Sequence, residues 1–344
     1  MTLMIDLAER GRLPDTLVRL GIRWLCGQRL REESRNDVQH QGARYSALLE
    51  ELRSSRIALD TDLANEQHYE VPAEFFELAL GARLKYSSAF WGMGARSLDQ
   101  AEEAMLELYA ERANLADGQA ILDLGCGWGS FTLWAAEHYP NAKITAVSNS
   151  AGQREHILRQ ADLRGLTNVQ VVTGDVNTLD LAGGFDRVVS IEMFEHMRNY
   201  ALLMNRIERW LNPDGKLFVH IFCHRNLLYP FESDGDGNWM GRYFFTSGLM
   251  PAADTLLHFQ DDLRVESRWQ MSGVHYSRTA RAWLENMDRN AQAVADVFSA
   301  VHGAEQGPVW VQRWRMFFMA CEELFGFRRG QEWLVCHYRF GKRE

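Results

Sequence analysis

The sequence predicts an α/β fold in which helices cover both faces of a parallel β-sheet. Short apolar runs rich in β-branched residues predict strands over 120–124, 143–147, 169–173, 186–191 and 216–221. Between them, apolar residues at helical spacing predict helices over 131–137, 151–163 and 200–211. Strands that alternate with helices form parallel sheets, and such sheets bind ligands at the carboxyl ends of their strands.

Composition is that of an ordinary globular protein of 344 residues, with 46% hydrophobic and 24% charged residues. The net charge of −9 argues against nucleic-acid binding, which needs a basic surface. No apolar run is long enough to span a bilayer and the first residues do not make a secretory signal, so we expect no integral membrane association. The five cysteines are scattered and form no CxxC pair. We therefore expect reduced thiols, no bound metal and a cytoplasmic protein.

Residues 1–112 are predicted to form a helical extension. Pro14 suits a first helical turn. Apolar positions then follow at helical spacing to make one face, at Leu17, Leu20, Gly21, Trp24 and Leu25. Arginines occupy the polar positions of this segment. They indicate either a helix that binds a membrane surface or an anionic ligand, or the solvated side of a helix packed on the body or on another subunit. Because the chain as a whole is acidic, the second interpretation is favoured. A helix packed on another subunit would be compatible with a homodimer.

The end of this extension leads into the sheet domain. Leu84–Trp91 interleaves hydroxyls with aromatic rings, which suits either a lid over a ligand or a buried packing segment. A long helix is predicted over 97–113, with Ser97 able to cap it. Both interpretations of Leu84–Trp91 remain open at this level.

The predicted core, residues 113–224, opens with a strand that stops at Gly125-Cys126-Gly127-Trp128-Gly129. Glycine is required where a turn is tight, where φ is positive, or where backbone lies against a ligand. A strand, a glycine loop and a helix in this order indicate a nucleotide site, although an ordinary turn between strand and helix would show the same pattern.

The next two strand ends narrow the choice of nucleotide. The second is followed by neutral side chains, Asn149 and Gln153 among them, where dinucleotide sites place an acid for the ribose hydroxyls. This disfavours a nicotinamide cofactor, although a neutral side chain can still bind a ribose. The third is followed by Asp175 and Val176, which suit the exocyclic amine and the ring of adenine. Alone, Asp175 could equally cap a turn.

The fourth strand leads into Glu192, Glu195 and His196. If a helix starts here, these residues share one face and look into the same crevice as the glycine loop. Two carboxylates and an imidazole can hold an ammonium substrate and accept its proton. The alternative is a salt-bridged helix start.

The rest of the chain is rich in aromatic residues. We predict an insertion over 225–280, with a turn at Asp234–Gly237, that builds a substrate pocket or a subunit contact. The C-terminal segment, 281–344, is predicted to complete the core with helices and the last strands. Its Trp314 and Phe317 lie at helical spacing, which fits either packed core or an aromatic cage for a cation.

Taken together, these motifs resemble a known family. Leu122–Gly129, Tyr86-Ser87, Gln153 and Phe194-Glu195-His196 are similar to those of the cyclopropane-fatty-acid synthase group of S-adenosylmethionine-dependent methyltransferases. The similarity is strongest to coclaurine N-methyltransferase-like enzymes, which methylate the nitrogen of tetrahydroisoquinoline alkaloids. It extends over nearly the whole chain and includes the stretches 65–72, 191–200, 259–262 and 275–279.

This resemblance implies a Rossmann-like class I methyltransferase fold with a mostly parallel seven-stranded sheet, and S-adenosyl-L-methionine as cofactor. It implies Tyr86 and Ser87 at the methionine carboxylate and Trp314 and Phe317 in the substrate pocket. The cofactor-binding set it implies is Tyr86, Ser87, Gly125, Gly127, Asn149, Gln153, Asp175, Val176 and Ile191. The catalytic set is Glu192, Glu195 and His196.

Two departures separate this chain from the lipid-modifying branch of the group. Lipid cyclopropane synthases resembling it have cysteine where this chain has Ser88, and that cysteine helps to hold a bicarbonate base. They have glycine where this chain has Glu192. We therefore predict methylation of a small aromatic or alkaloid-like amine, with Glu192 attracting it, His196 taking its proton and Glu195 orienting His196 or sharing that task. The alternatives are a lipid-modifying enzyme at a membrane surface and a nucleoside-binding protein without turnover.

Overall fold

The computed structural model of the chain describes residues 2–34, 37–59, 71–92, 94–233 and 238–343. The similarity stretch 65–72 therefore lies mostly outside the described residues, and so does the turn predicted at Asp234–Gly237. Helices in the described part are α1 (Thr2–Glu9), α2 (Asp15–Glu33), α3 (Val38–Ser54), α4 (Ala73–Ala79), α5 (Leu98–Ala113), α6 (Ser130–His138), α7 (Ala151–Leu163), α8 (Tyr200–Trp210), α9 (Trp239–Tyr243), α10 (Val274–Arg289) and α11 (Ala291–Gly326). Helix α11 is broken at Gly303, whose φ is 79°.

The strands of the main sheet are β1 (Ala120–Leu124), β2 (Lys143–Ser148), β3 (Val169–Thr173), β4 (Phe185–Ile191), β5 (Leu211–His224), β8 (Leu263–Met271) and β9 (Trp333–Lys342). A separate two-stranded ribbon pairs β6 (Tyr229–Pro230) with β7 (Leu249–Met250). In the described chain the main sheet has seven strands in the order β3-β2-β1-β4-β5-β9-β8. The first five are parallel, and β9 and β8 are antiparallel to their neighbours. The predicted mostly parallel α/β fold is confirmed.

The strand order places the ligand crevice. Strand β1 pairs with β2 on one side and with β4 on the other, so the order of the chain reverses at β1. Ligands of open α/β sheets bind outside the carboxyl ends of the strands at such a reversal. The glycine loop after β1 and the Glu192 segment after β4 therefore meet at one edge.

One predicted boundary does not match the fold. Segment 225–280 was predicted to be an insertion, yet its later part supplies β8, which completes the main sheet beside β9. The part that stands outside the sheet is the ribbon β6–β7, α9 and a short 3₁₀ turn at Thr255–His258. Antiparallel pairing across a long stretch of chain leaves no local signal in the sequence, and the insertion was therefore overestimated.

The arginine-rich helix α2 is held against α11 by ion pairs. Arg19 contacts Glu322 at 2.7 Å and Glu323 at 2.9 Å, and Arg23 also contacts Glu323. The face of α2 buried in this contact carries Val18, Cys26 and Leu30.

The apolar face predicted for α2 is not the face that packs. Leu17, Leu20 and Trp24 are 50%, 57% and 54% exposed. Helical spacing showed that an apolar stripe exists, but the buried acids of α11 decided which side of α2 docks. Among the described residues, no helix is long and apolar enough to cross a membrane.

Candidate active site

The glycine loop makes the floor of the site. Gly125 has φ +85°, and a Cβ at this position would lie 2.7 Å from Cγ of Met193. Its N–H and that of Cys126 donate to the carbonyl of Val147 at 3.0 and 2.9 Å, which ties the loop to the end of β2. Gly129 has φ +83°, and a Cβ there would meet Ile157 at 2.6 Å. A side chain at either glycine would force the loop off the sheet edge.

Two cavities lie on either side of this loop and share Gly125, Gly127, Gln153 and His196. The first cavity is lined by residues that include Tyr86, Ser87, Ile191, Glu192, Glu195 and Phe317. The second is lined by residues that include Asn149, Asp175, Val176 and Met193. All predicted site residues except Trp314 thus line one of two adjoining cavities.

Gln153 carries a polar atom that the described protein leaves unsatisfied. Its Oε1 accepts a hydrogen bond from Oγ of Ser148 at 2.6 Å, while its buried Nε2 has no partner among the described residues. A buried N–H without an acceptor is costly, and ligand binding is a common reason for one. Asp175 accepts from the backbone N–H of Asn177 at 2.7 Å. It therefore caps its own turn and lines the cavity at the same time.

Glu192 ends β4 in a left-handed conformation, with φ +47°. Its carboxylate accepts three hydrogen bonds: Oε1 from the backbone N–H of Ser88 and from Nε2 of His220, both at 2.9 Å, and Oε2 from the hydroxyl of Tyr276 at 2.6 Å. These donors come from three separate parts of the chain and converge on one anion.

Burial raises the pKa of Glu192 to about 7, against the opposing effects of the nearby Lys85 ammonium and of the hydrogen bonds from Tyr276 and Ser88. Lys85 is itself buried, and its Nζ donates to Oγ of Ser87 at 2.6 Å and to the carbonyl of Ser88 at 2.7 Å. Burial lowers the pKa of Lys85 to about 7. The buried amine of Lys85 thus links the first residues of the Leu84–Trp91 segment to one another.

No α-helix starts at Glu192, which was the condition for the shared helix face considered in the sequence. Only a single 3₁₀ turn, Phe194–His196, follows the strand, and α8 does not begin until Tyr200. Glu192, Glu195 and His196 nevertheless line the same cavity, because the left-handed residue turns the chain back beneath the glycine loop.

Glu195 is buried, and neither of its carboxyl oxygens has a hydrogen-bond partner among the described residues. It therefore does not orient His196 through a hydrogen bond, as had been predicted as one option. Burial, together with the negative charge of Glu192, holds the pKa of Glu195 well above its usual range. His196 stacks instead on Phe245, with ring centroids 5.2 Å apart. Burial lowers the pKa of His196 to about 4, so its imidazole is neutral.

Aromatic rings close the first cavity on the side away from the loop. Phe245, Tyr276, Trp283 and Phe317 line it. Trp314 does not: it is fully buried behind the cavity, 6.2 Å from the ring of Tyr86 and 5.5 Å from that of Phe317. The two aromatic residues at helical spacing therefore have different places, one in the wall and one in the core behind it.

Sequence analysis missed three residues of this site: Lys85, His220 and Tyr276. Lys85 precedes the Tyr86-Ser87 pair, and its apolar neighbours could have drawn attention to it. His220 lies within a strand and carries no local signal, whereas Tyr276 lies in the similar stretch 275–279, which gave it no individual role. No group of three His, Cys, Asp or Glu side chains that could hold a metal ion occurs in the described residues.

The family of this chain is identified by comparison with known proteins. The model of the family described as mycolic acid cyclopropane synthetase matches residues 59–334. This chain belongs to the mycolic acid cyclopropane synthetase family. Within the family it is 38% identical over 339 residues to (S)-coclaurine N-methyltransferase of Thalictrum flavum subsp. glaucum, covering 97% of this chain and 94% of that protein.

A solved structure shares the whole fold. The crystal structure of coclaurine N-methyltransferase bound to N-methylheliamine and SAH superposes with a TM-score of 0.95 at 37% identity, over 98% of this chain and 99% of that one. A more distant relative, cyclopropane-fatty-acyl-phospholipid synthase of Escherichia coli (strain K12), is 28% identical over 283 residues, covering 80% of this chain and 68% of that protein. The family and these relatives make the chain an S-adenosylmethionine-dependent N-methyltransferase.

The described residues fit the cofactor of the family. The unsatisfied Nε2 of Gln153 offers a donor where a ribose hydroxyl could accept, at the junction of the two cavities. Gly127 has φ +52° and no atom within 4 Å of a Cβ placed on it, so the loop leaves open space for a ligand. Asn149, Gln153, Asp175 and Val176 would hold the adenosine part, with Tyr86 and Ser87 across the loop.

The donor of Gln153 provides a direct test of cofactor binding. We expect Gln153→Leu to weaken S-adenosylhomocysteine binding about tenfold in titration calorimetry, the worth of a hydrogen bond of roughly 1.4 kcal/mol. Gln160→Leu, in the same helix but outside both cavities, is the matched control and should bind normally. Equal affinity of the two variants would remove Gln153 from the cofactor site.

Proposed function

We propose that this enzyme methylates the nitrogen of a small cyclic amine fused to an aromatic ring, of the tetrahydroisoquinoline type. The observation that carries the proposal is the first cavity, which combines a fixed carboxylate with a wall of aromatic rings. A carboxylate attracts an ammonium group. Aromatic side chains pack against the ring system of such an amine and interact favourably with its positive charge. Two of the proteins compared above support the same class of substrate. One is named (S)-coclaurine N-methyltransferase, and the solved structure of coclaurine N-methyltransferase contains N-methylheliamine.

Glu192 is proposed to be the negative charge that attracts the ammonium group of the substrate. Its three hydrogen bonds stabilise the anion and hold it in one orientation. The same three donors would otherwise form a cradle for an external anion such as bicarbonate. In this chain the side chain itself fills that cradle, which favours amine chemistry over the use of a bicarbonate base.

His196 and Glu195 are proposed to handle the substrate proton. In water near neutral pH a cyclic amine is protonated, and this ammonium ion must lose a proton before the nitrogen lone pair can react. His196 is neutral and can accept that proton, and the resulting imidazolium would be stabilised by the anionic Glu192. The unpartnered carboxyl of Glu195 would take up the N–H donors of the arriving ammonium.

When bound, S-adenosylmethionine supplies an electrophilic methyl group on a sulfonium centre. The residues of this chain then have one principal task, which is to present the amine lone pair in line with the breaking bond. Phe245 and Phe317 form part of the cavity wall on the substrate side. Phe245 also stacks on His196, so one ring contacts both the substrate space and the proposed base. Desolvation by this wall strengthens the charge interactions inside.

The proposal is tested by a mass-spectrometric screen with a labelled methyl donor. We expect transfer to tetrahydroisoquinolines and lower or no transfer to primary alkylamines that lack an aromatic ring. Phospholipid vesicles with unsaturated acyl chains, with and without bicarbonate, are included in the same screen. Cyclopropane formation in the lipid, or donor binding without any methylated amine, would contradict the proposal.

The charge of Glu192 predicts a pH dependence of cation binding. Because its pKa lies at about 7, the carboxyl is ionised above that pH and becomes neutral as the pH falls through it. We expect the affinity for N,N-dimethyl-1,2,3,4-tetrahydroisoquinolinium, measured by calorimetry with S-adenosylhomocysteine present, to fall on acidification through about pH 7. The charge of this probe is permanent, so the titration reports the protein alone. Affinity that stays constant across this range would exclude Glu192 as the charge that binds the amine.

A further inference from the structure

A chain of hydrogen bonds runs from Glu192 away from the cavity, across strands β5 and β9 to helix α5. Nδ1 of His220 lies 2.9 Å from Nε2 of His337, its direct partner on β9. Nδ1 of His337 lies 2.7 Å from a guanidinium nitrogen of Arg112, which is half-buried on α5. Both imidazoles are fully buried. Neither His337 nor Arg112 lines the cavity.

The direction of every bond in this chain is determined by chemistry. A guanidinium has donors only, so Nδ1 of His337 must accept from Arg112. Burial lowers the pKa of both histidines well below their usual range, so each ring is neutral and carries a single N–H. His337 therefore carries its proton on Nε2 and donates to Nδ1 of His220, which leaves the proton of His220 on Nε2, facing Glu192.

This polarity excludes a proton-relay role and points to a different one. Arg112, at the far end, neither takes up nor releases protons in a protein. The chain therefore does not carry the substrate proton to solvent. What it does is to select one tautomer at each imidazole, so that every N–H points towards the carboxylate of Glu192.

We propose that His337 and Arg112 are positioning residues for the methyl transfer: they hold His220 in the tautomer that donates to Glu192, and so keep this carboxylate ionised opposite the substrate amine. The hydroxyl of Tyr109 on α5 lies 2.8 Å from the same Nδ1 of His220 and shares its single lone pair with the N–H of His337, which favours the same tautomer. The inference rests on the proposed role of Glu192 and extends it by two residues outside the cavity.

Other groups also face Glu192 and would shape any titration. They are the ammonium of Lys85, the carboxyl of Glu195, the imidazoles of His196 and His220, the hydroxyls of Tyr109 and Tyr276, and the thiol of Cys321 on α11. A substitution at His337 or Arg112 leaves all of these side chains in the protein and acts on Glu192 through the tautomer of His220. His337→Phe removes no charge, because this buried imidazole is neutral, so a pH shift in that variant is attributable to the hydrogen-bond chain.

The test is the pH dependence of cation binding described above, measured on whole protein loaded with S-adenosylhomocysteine. His337→Phe keeps a ring but removes both nitrogens. We expect its loss of affinity for N,N-dimethyl-1,2,3,4-tetrahydroisoquinolinium on acidification to begin about one pH unit higher than in the wild type, because the anion has lost support. The acidic side of the pH profile of kcat/KM for the amine should move in the same direction.

Two further variants separate this role from simple packing. His337→Gln places an amide N–H near the former Nε2 and should return the transition towards the wild-type pH. Arg112→Met leaves both buried rings in place, frees His337 to change tautomer, and should give a smaller shift in the same direction. His138→Phe, which replaces a half-exposed ring remote from the site, is the matched control and should show no shift.

The outcomes are distinguishable from failure of the proposed function. If His337→Phe and Arg112→Met are folded and titrate as the wild type does, while Glu192→Gln abolishes the transition, the positioning role is overturned and the role of Glu192 stands. If Glu192→Gln itself keeps the wild-type transition, the proposed function fails at Glu192 and the positioning role fails with it. A Tm loss or a uniform fall in kcat without a shift along the pH axis also overturns the positioning role.

Discussion

Replacement of Glu192 by glycine is expected to lower kcat for the amine by roughly 10²- to 10³-fold, and added bicarbonate or formate is expected to restore a large part of it. The donors on Ser88, His220 and Tyr276 remain in place and converge on a space the size of a carboxylate. A small external anion can therefore take the place of the missing side chain. The φ of +47° at this position suits glycine, so the variant should fold.

Glu192→Gln is the matched control for this rescue. The amide of the glutamine fills the same space, but its N–H group faces the donors of Ser88, His220 and Tyr276 in place of a carboxylate oxygen. Some of these donors are then left without an acceptor. It should be as inactive as the glycine variant and should not respond to added anions. Steady-state rates with increasing formate, together with Tm and S-adenosylhomocysteine affinity, make the measurement. Anion-independent activity in Glu192→Gly, or a folded glycine variant that no anion rescues, would contradict the assignment.

Removal of the base should have an effect that depends strongly on pH. We expect His196→Ala to lose about 10²- to 10³-fold in kcat/KM at neutral pH, the range typical of a general base. As the pH rises towards the pKa of the amine, more substrate arrives without its extra proton and the base becomes dispensable. The ratio of wild-type to variant kcat/KM should therefore shrink steadily with increasing pH.

Phe245→Leu serves as the companion variant, because it removes the ring stacked on His196 while leaving the imidazole. Its defect should be smaller and the same at every pH, as expected for lost positioning alone. Rates measured from about pH 6.5 to 9.5 on one amine give both profiles. A defect in His196→Ala that is independent of pH would show that the imidazole positions the substrate and does not accept its proton.

Much of the fold could be predicted from local pattern. Strand β1 and helix α7 coincide with the predicted ranges, because buried parallel strands and the amphipathic helices between them carry their own periodicity. The cap of α5 is also local: the side chain of Ser97 accepts from the backbone N–H of Gln100, as a capping serine does. The residues that follow the strands disfavoured a nicotinamide cofactor and suited an adenine, since the carboxyl ends of parallel strands share one edge, and the family resemblance then implied S-adenosylmethionine.

The errors lie where distant segments decide. Helix α2 exposes the apolar stripe of Leu17 and Trp24, because the acids of α11 hold the opposite side of the helix. The predicted helix face at Glu192 is in fact a left-handed residue followed by a 3₁₀ turn. A φ of +47° is unusual for a residue other than glycine, and the three hydrogen bonds to the carboxylate of Glu192 stabilise this backbone conformation.

The sequence by itself determined the five parallel strands, the glycine loop and the identity of Glu192 and His196 as chemical groups, since residues close together in the chain encode each of these. The resemblance of motifs along the chain determined the methyl-donor family. Tertiary structure alone decided what surrounds them. The anion cradle joins Ser88, His220 and Tyr276, and the tautomer of His220 depends on a cross-strand partner 117 residues away. Contacts of such separation depend on strand register and helix docking, which no local pattern encodes.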